Sequence, residues 1–196
     1  MEALKQAIRQ KGRMISDGIV KVDSFLNHRL ETGLLFDMGV ELARRFSKDK
    51  PDLVLTVEAS GIALAMTTAH ALGDIPVVFA KKGIAANQSP DMAEEKVYSF
   101  THQCESLIRL DLRYIPAGSR VLIVDDFLAN GKAVNGLMSI IRKAGAQLIG
   151  VGIAIEKGFQ PGGKLLREQG IPLLSLAVID EISDAGIRFR DADGEI

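Results

Sequence analysis

The stretch VLIVDDFLANGKAVNGL, residues 121–137, sets two neighbouring carboxylates, Asp125 and Asp126, at the end of a four-residue apolar run. A short turn containing Asn130 and Gly131 follows, and then a helical pattern. In an open α/β sheet, ligands bind beyond the carboxyl ends of the strands, so both acids would stand at the binding edge. The backbone amides of Ala129, Asn130, Gly131, Lys132 and Ala133 would open the helix. Free N–H groups at such a start, reinforced by the helix dipole, hold anions. Carboxylates for sugar hydroxyls beside a phosphate cradle suit a ribose 5-phosphate. An acidic magnesium site, or a solvated strand end, would also explain the pair. A P-loop would not. Its GxxxxGK[ST] pattern needs glycine at position 126 and a hydroxyl residue at 133, where Asp126 and Ala133 stand.

The elements that must position these residues show in the periodicity. Short, nearly continuous apolar runs at 52–57, 76–80, 121–126 and 148–155 predict strands covered on both faces. Between most of them, 61–73 and 133–145 read as helices that each close on a glycine. Leu34, Leu35, Met38, Leu42 and Phe46 give an amphipathic helix over 34–46. Leu4, Ala7 and Ile8 predict a short N-terminal helix stopped at Gly12, and Val20 and Val22 a short strand. This alternation predicts an α/β fold with a central parallel sheet flanked by helices. Residues 81–96 are polar, with Gly83, Asn87 and Pro90, and the segment after them reads as a β-ribbon returning to the sheet. A long polar loop in such a fold is either a lid or a dispensable surface hairpin.

At 196 residues the chain fits a single domain, 1–196, able to bury a core without staples. Its 24 basic and 25 acidic side chains give a net charge of -1, which offers no global support for nucleic-acid binding. The lone Cys104 excludes an intramolecular disulfide, and three scattered histidines do not complete a zinc cluster. No run reaches the ~18 apolar residues of a membrane span. The N-terminus carries Glu2 and no apolar stretch, unlike a secretory signal. The expectation is a cytoplasmic protein without a membrane or nucleic-acid partner.

VLIVDDFLANGKA resembles the phosphoribosyl diphosphate (PRPP) signature of the type I phosphoribosyltransferases. KVDSFLNH at 21–28, VEASG at 57–61, VYSFT at 97–101 and IEKGFQPG at 155–162 are similar, in order and spacing, to the bacterial xanthine-using members of that family. The resemblance implies the type I fold: a central parallel sheet flanked by helices, a flexible lid loop over 82–97, and a small base-binding hood. The N-terminal residues and the C-terminal segment would build that hood. It further implies transfer of the phosphoribosyl group from PRPP to xanthine, giving xanthosine 5′-monophosphate and pyrophosphate. Mg²⁺ would arrive with PRPP rather than on protein side chains, and similar enzymes are homodimers. Helix 34–46 offers either an interface or core.

Position by position, the resemblance gives Asp125 and Asp126 the ribose hydroxyls and the field around the ribosyl centre. It gives Ala129, Asn130, Gly131, Lys132 and Ala133 the 5′-phosphate, and Glu58, Ala59, Ser60 and Gly61 the pyrophosphate. Lys81, or its neighbour Lys82, would face pyrophosphate as well. On the purine side it places Asn27 over the base, Val20 (leucine in related chains) near it, Lys157 at a ring carbonyl, and Phe127 or Phe159 as a stacking ring. A protonated lysine has three donors and no acceptor, which suits a dioxo purine better than the amine of adenine. Two departures matter. Alanines replace turn threonines common in the family, removing a hydroxyl donor that Asn130 can replace. Hypoxanthine-guanine enzymes carry an aspartate beside the base where Ala129 stands, which argues against that subfamily. An adenine enzyme and a PRPP-sensing transcription regulator are the rivals; only a short helix precedes the base-site segment, where such regulators carry a DNA-binding domain. Cys104, His28, His70 and His102 receive no catalytic assignment.

Overall fold

The computed structural model describes residues 1–15, 19–83, 91–99, 104–183 and 186–190. The helices are α1 (Glu2–Lys11), α2 (Thr32–Phe46), α3 (Gly61–Ala71), α4 (Lys132–Lys143) and α5 (Pro161–Glu168). The strands are β1 (Arg13–Ile15), β2 (Ile19–Lys21), β3 (Leu53–Val57), β4 (Val77–Lys82), β5 (Met92–Ser99), β6 (Cys104–Asp111), β7 (Arg120–Leu128), β8 (Gln147–Lys157), β9 (Leu173–Ser183) and β10 (Gly186–Phe189). A π-helical turn, Asp23–Asn27, follows the small β1–β2 hairpin.

The main sheet has eight strands in the order β10-β9-β8-β7-β3-β4-β6-β5. Its five middle strands, β9 to β4 in that order, pair in parallel. The flanks are antiparallel: β10 on β9, β6 on β4 and β5 on β6. The sheet is therefore mixed, and the expected parallel arrangement holds for its centre. The chain between β5 and β6, and between β9 and β10, is too short for a crossover, which leaves antiparallel pairing as the available solution.

Apolar residues cover both faces. One cluster joins Leu4 and Ile8 of α1, Leu35, Met38, Leu42 and Phe46 of α2, and Leu64 of α3 against Val54, Leu122 and Val124. The other joins Val134, Leu137, Ile140 and Ile141 of α4 and Leu166 of α5 against Leu55, Ile123 and Ile153. Two glycines of β8 seat α2: a Cβ on Gly150 would lie 2.4 Å from the Phe46 ring, and one on Gly152 would lie 3.0 Å from Leu42. Among the described residues, no helix is long and apolar enough to cross a membrane.

The loop expected over 82–97 is shorter than its polarity suggested. Residues 84–90 lie outside the described residues, but Met92 already pairs with Asp111, and the β5–β6 register runs on to Ser99 and Cys104. Glu95 of this ribbon meets Lys143 of α4 at 2.7 Å, so the ribbon is fastened to the helix that begins at the phosphate turn.

Candidate active site

Strands β3, β4, β7 and β8 all end at one edge of the sheet, and each delivers a polar residue there. Asp125 and Asp126 are the last polar residues of β7 and are 4% and 7% exposed. The Asp126 N–H donates to Asp125 Oδ1 at 3.0 Å. Burial, and then the charge of Asp126, push the Asp125 carboxyl well above the ordinary carboxylate range. Asp125 is thus held toward its neutral form. The opposing charge that acts on it belongs to Lys82. Lys81 faces the other side of β4, across from Arg109 of β6, because successive strand residues alternate. Of the two lysines named from the sequence, Lys82 is the one whose charge acts on Asp125.

Two helix starts meet at this edge without a side-chain cap. Gly131, at φ 77°, precedes α4, and Ser60 precedes α3. Neither start has a side-chain cap hydrogen bond, and in α3 the Ile62 N–H turns back to the Ala59 carbonyl at 3.2 Å. Gly61 is confined from both sides: a Cβ there would lie 2.2 Å from Thr56 Oγ1 and 2.7 Å from Asp125 Oδ1. The peptide between Glu58 and Ala59 is cis. Glu58 Oε1 accepts the Lys82 N–H at 2.6 Å. That contact makes Glu58 a tether between the ends of β3 and β4.

The hood arrives from the N-terminal side. Asn27 ends the π-helical turn, and its Nδ2 lies 3.4 Å from Asp126 Oδ2, joining residues 99 positions apart. Asp23, Asn27 and His28 face Ala59 and Ser60 across an open cleft of about 470 Å³. Val20 does not line this cleft; it is 5% exposed and belongs to the core beneath the hood. Phe127 is half-buried against the same core, whereas Phe159 is exposed. Lys157 stands one residue beyond the Leu128–Glu156 pair, level with the turn that begins at Ala129. Burial lowers its ammonium below the ordinary lysine range.

Three features escaped the sequence reading. Glu156, 1% exposed, accepts from Nη1 and Nη2 of Arg167 at 2.7 Å each and from the Ser175 hydroxyl at 2.6 Å. Gly162 donates its N–H to the Ala129 carbonyl at 3.0 Å. Thr56 Oγ1 is buried with no hydrogen-bond partner among the described residues. An acid in the middle of an apolar run, in IAIEK, was the available sign for Glu156. Among the described residues, no three His, Cys, Asp or Glu side chains gather as a metal site.

The phosphoribosyl transferase domain model matches residues 34–166. Xanthine phosphoribosyltransferase of Laribacter hongkongensis (strain HLHK9) is 46% identical over 189 residues, 96% of this chain and 100% of that protein. That of Clostridioides difficile (strain 630) is 46% identical over 190 residues, 97% and 100% of the two chains. Among solved structures, adenine phosphoribosyltransferase from Giardia lamblia complexed with 9-deazaadenine aligns with a TM-score of 0.75 at 19% identity, over 91% of this chain and 98% of that one. The Saccharomyces cerevisiae adenine enzyme gives 0.69 at 23%, over 90% and 99%. These two speak for the fold. The matched segment contains the acidic strand end and both uncapped helix starts, and on that ground this chain belongs to the phosphoribosyltransferase family.

Proposed function

We propose that the chain transfers the phosphoribosyl group of PRPP to xanthine, giving xanthosine 5′-monophosphate and pyrophosphate. The observation that carries this reading is the convergence of Asp126, Asn27 and two uncapped helix starts at one sheet edge. Relatives named xanthine phosphoribosyltransferase, 43–47% identical over nearly the whole chain, supply the choice of purine. In the reaction the purine N9 forms a bond to C1′ as the C1′–oxygen bond breaks, and pyrophosphate leaves with that electron pair. The purine gives up its proton to solvent, or enters already as the anion. The positive charge that builds on the ribose calls for fixed negative charge nearby. Asp126 supplies it, while both acids orient the ribose hydroxyls. The turn 129–133 takes the 5′-phosphate and the 59–61 backbone takes pyrophosphate, each through helix-start amides. Lys157 meets a ring carbonyl of the base.

Mg²⁺ fits this site as a companion of PRPP, because the nearby acids are a pair and not a full oxygen cage. Bound with PRPP, it would neutralise pyrophosphate charge, and Asp125 and Asp126 are the acids at this edge that would help to hold it. The deciding experiment compares kcat/KM for xanthine, guanine, hypoxanthine and adenine with PRPP. Xanthine is expected to be the best substrate; preference for adenine would overturn the assignment of Lys157.

A further inference from the structure

We propose that Gly162 is a positioning residue for the phosphate turn, holding the 129–131 backbone in the shape that presents the α4 amides to the ligand. This rests on the reading of 129–133 as the 5′-phosphate site. The first turn of α5 lies backbone to backbone on the turn. A Cβ on Gly162 would fall 2.5 Å from Ala129 O, 2.6 Å from Gly131 N and 2.8 Å from Asn130 C. From the other side, a Cβ on Gly131 would fall 3.3 Å from the Gly162 Cα. No flexible side chain is involved that could move aside. The Gly162 N–H holds the Ala129 carbonyl at 3.0 Å. That hydrogen bond engages an acceptor which, turned toward a phosphate, would repel it.

The helix carrying Gly162 is itself anchored. Arg167 pairs bidentately with Glu156, and a Cβ on Gly163 would fall 1.9 Å from Glu156 Oε1. Glu156 sits beside Lys157 on β8 and opposite Leu128 on β7. A brace therefore runs from β8 through α5 to the phosphate turn. A residue that merely filled space would, when changed, lower stability without sorting one phosphate ligand from another. The brace touches only one of the two anion sites, so its loss should be selective.

The test measures binding of ribose 5-phosphate and of inorganic pyrophosphate by calorimetry on folded wild-type protein and on Gly162→Ala. Ribose 5-phosphate should bind about tenfold or more weakly to the variant, the KM for PRPP should rise in step, and pyrophosphate affinity should stay within about twofold. Unchanged ribose 5-phosphate affinity, or equal loss for both ligands, overturns the inference. Should Gly162→Ala not fold, the charge-free double variant Glu156→Gln/Arg167→Met loosens the same brace. It should weaken ribose 5-phosphate about threefold and spare pyrophosphate, and no change would overturn the proposal. If wild-type protein binds no ribose 5-phosphate while it binds pyrophosphate, the phosphate reading of the turn falls, and this inference with it. Normal wild-type binding with an unaffected variant removes only the role of Gly162.

Discussion

Lys157 and Asp126 are the side chains whose roles are most open to measurement. The donors of Lys157 exist only in the protonated form, and burial lowers its pKa. Activity toward xanthine should therefore fall on the alkaline side as pH rises through that lowered value, below the range of an exposed lysine. Lys157→Arg keeps a charge that does not titrate and should move this alkaline limb upward. Lys157→Met should remove the limb and cost ~10- to 100-fold in kcat/KM, the worth of one charged hydrogen bond. The check is a set of pH profiles of kcat/KM for xanthine; titration of xanthine itself is common to all three proteins and cancels. A limb unchanged in Lys157→Met would assign it elsewhere. Asp126→Asn should lower kcat by ~100-fold while the KM for PRPP changes far less, since the charge is needed most as the ribosyl cation develops. Steady-state kinetics in both substrates decides this, and parallel losses would mean that Asp126 only binds.

At the scale of elements, the Glu156–Arg167 pair joins β8 to α5 and predicts a specific response to acid. Burial alone would raise the Glu156 carboxyl, but its hydrogen bonds from Arg167 and Ser175 prevail and hold it below its ordinary value. A depressed folded-state pKa contributes stability that is present above the unfolded value and is lost as pH falls through the folded one. Wild-type Tm should therefore drop over that acid interval more steeply than the Tm of Glu156→Gln, as thermal melts across pH would register. Glu156→Ala should cost about 3 kcal/mol, the low end for a broken buried pair, because Arg167 can regain water. These elements were unequally visible in the amino-acid sequence. The β7–turn–α4 unit is local, and its apolar run, acidic pair and glycine lie within 17 consecutive residues, so its chemistry could be read directly. The brace could not, because Gly162 and Ala129 come from different βα units and meet only through tertiary packing. Lys81 and Lys82 look alike in a string of letters, and only strand alternation against β6 separates them. Val20 fitted the base site by resemblance alone; the hairpin turns it inward onto the core. The ribbon itself was legible, but its first strand begins at Met92, inside the stretch read as loop, because MAEEK is mostly polar and only Ala93 of it is buried.

For the molecule as a whole, the remaining question is what covers the outer side of α2 and α3. Phe36 and Val40 of α2 and Met66 of α3 are 49%, 57% and 62% exposed. Phe36 and Val40 are one helical turn apart on α2, and the Phe36 ring meets the His70 ring of α3 edge-on at 6.1 Å. The two helices are drawn close by Gly39, whose Cβ would lie 2.6 Å from the Thr67 backbone. Exposed large apolar side chains on both of these packed helices suit an association surface. We propose that a second copy of this chain covers it, the arrangement that the family resemblance suggested for helix 34–46. A two-fold contact is self-complementary, so a carboxylate introduced on one copy also appears on the other and faces an apolar surface without a partner. Light scattering on the purified protein should then give about twice the 21.2 kDa of one chain. The double variant Val40→Glu/Met66→Glu should weaken self-association by more than ~100-fold and yield monomers at micromolar concentration. Its Tm should change little when extrapolated to high dilution, since both side chains already face solvent within one chain. A wild-type protein that is monomeric at these concentrations, or a double variant that remains dimeric, would place the contact elsewhere or remove it. The alkaline and acid titrations above report on residues at the sheet edge and on β8, away from this face. They should therefore be the same in the monomeric variant, and a coupled change would mean that the partner subunit completes the site.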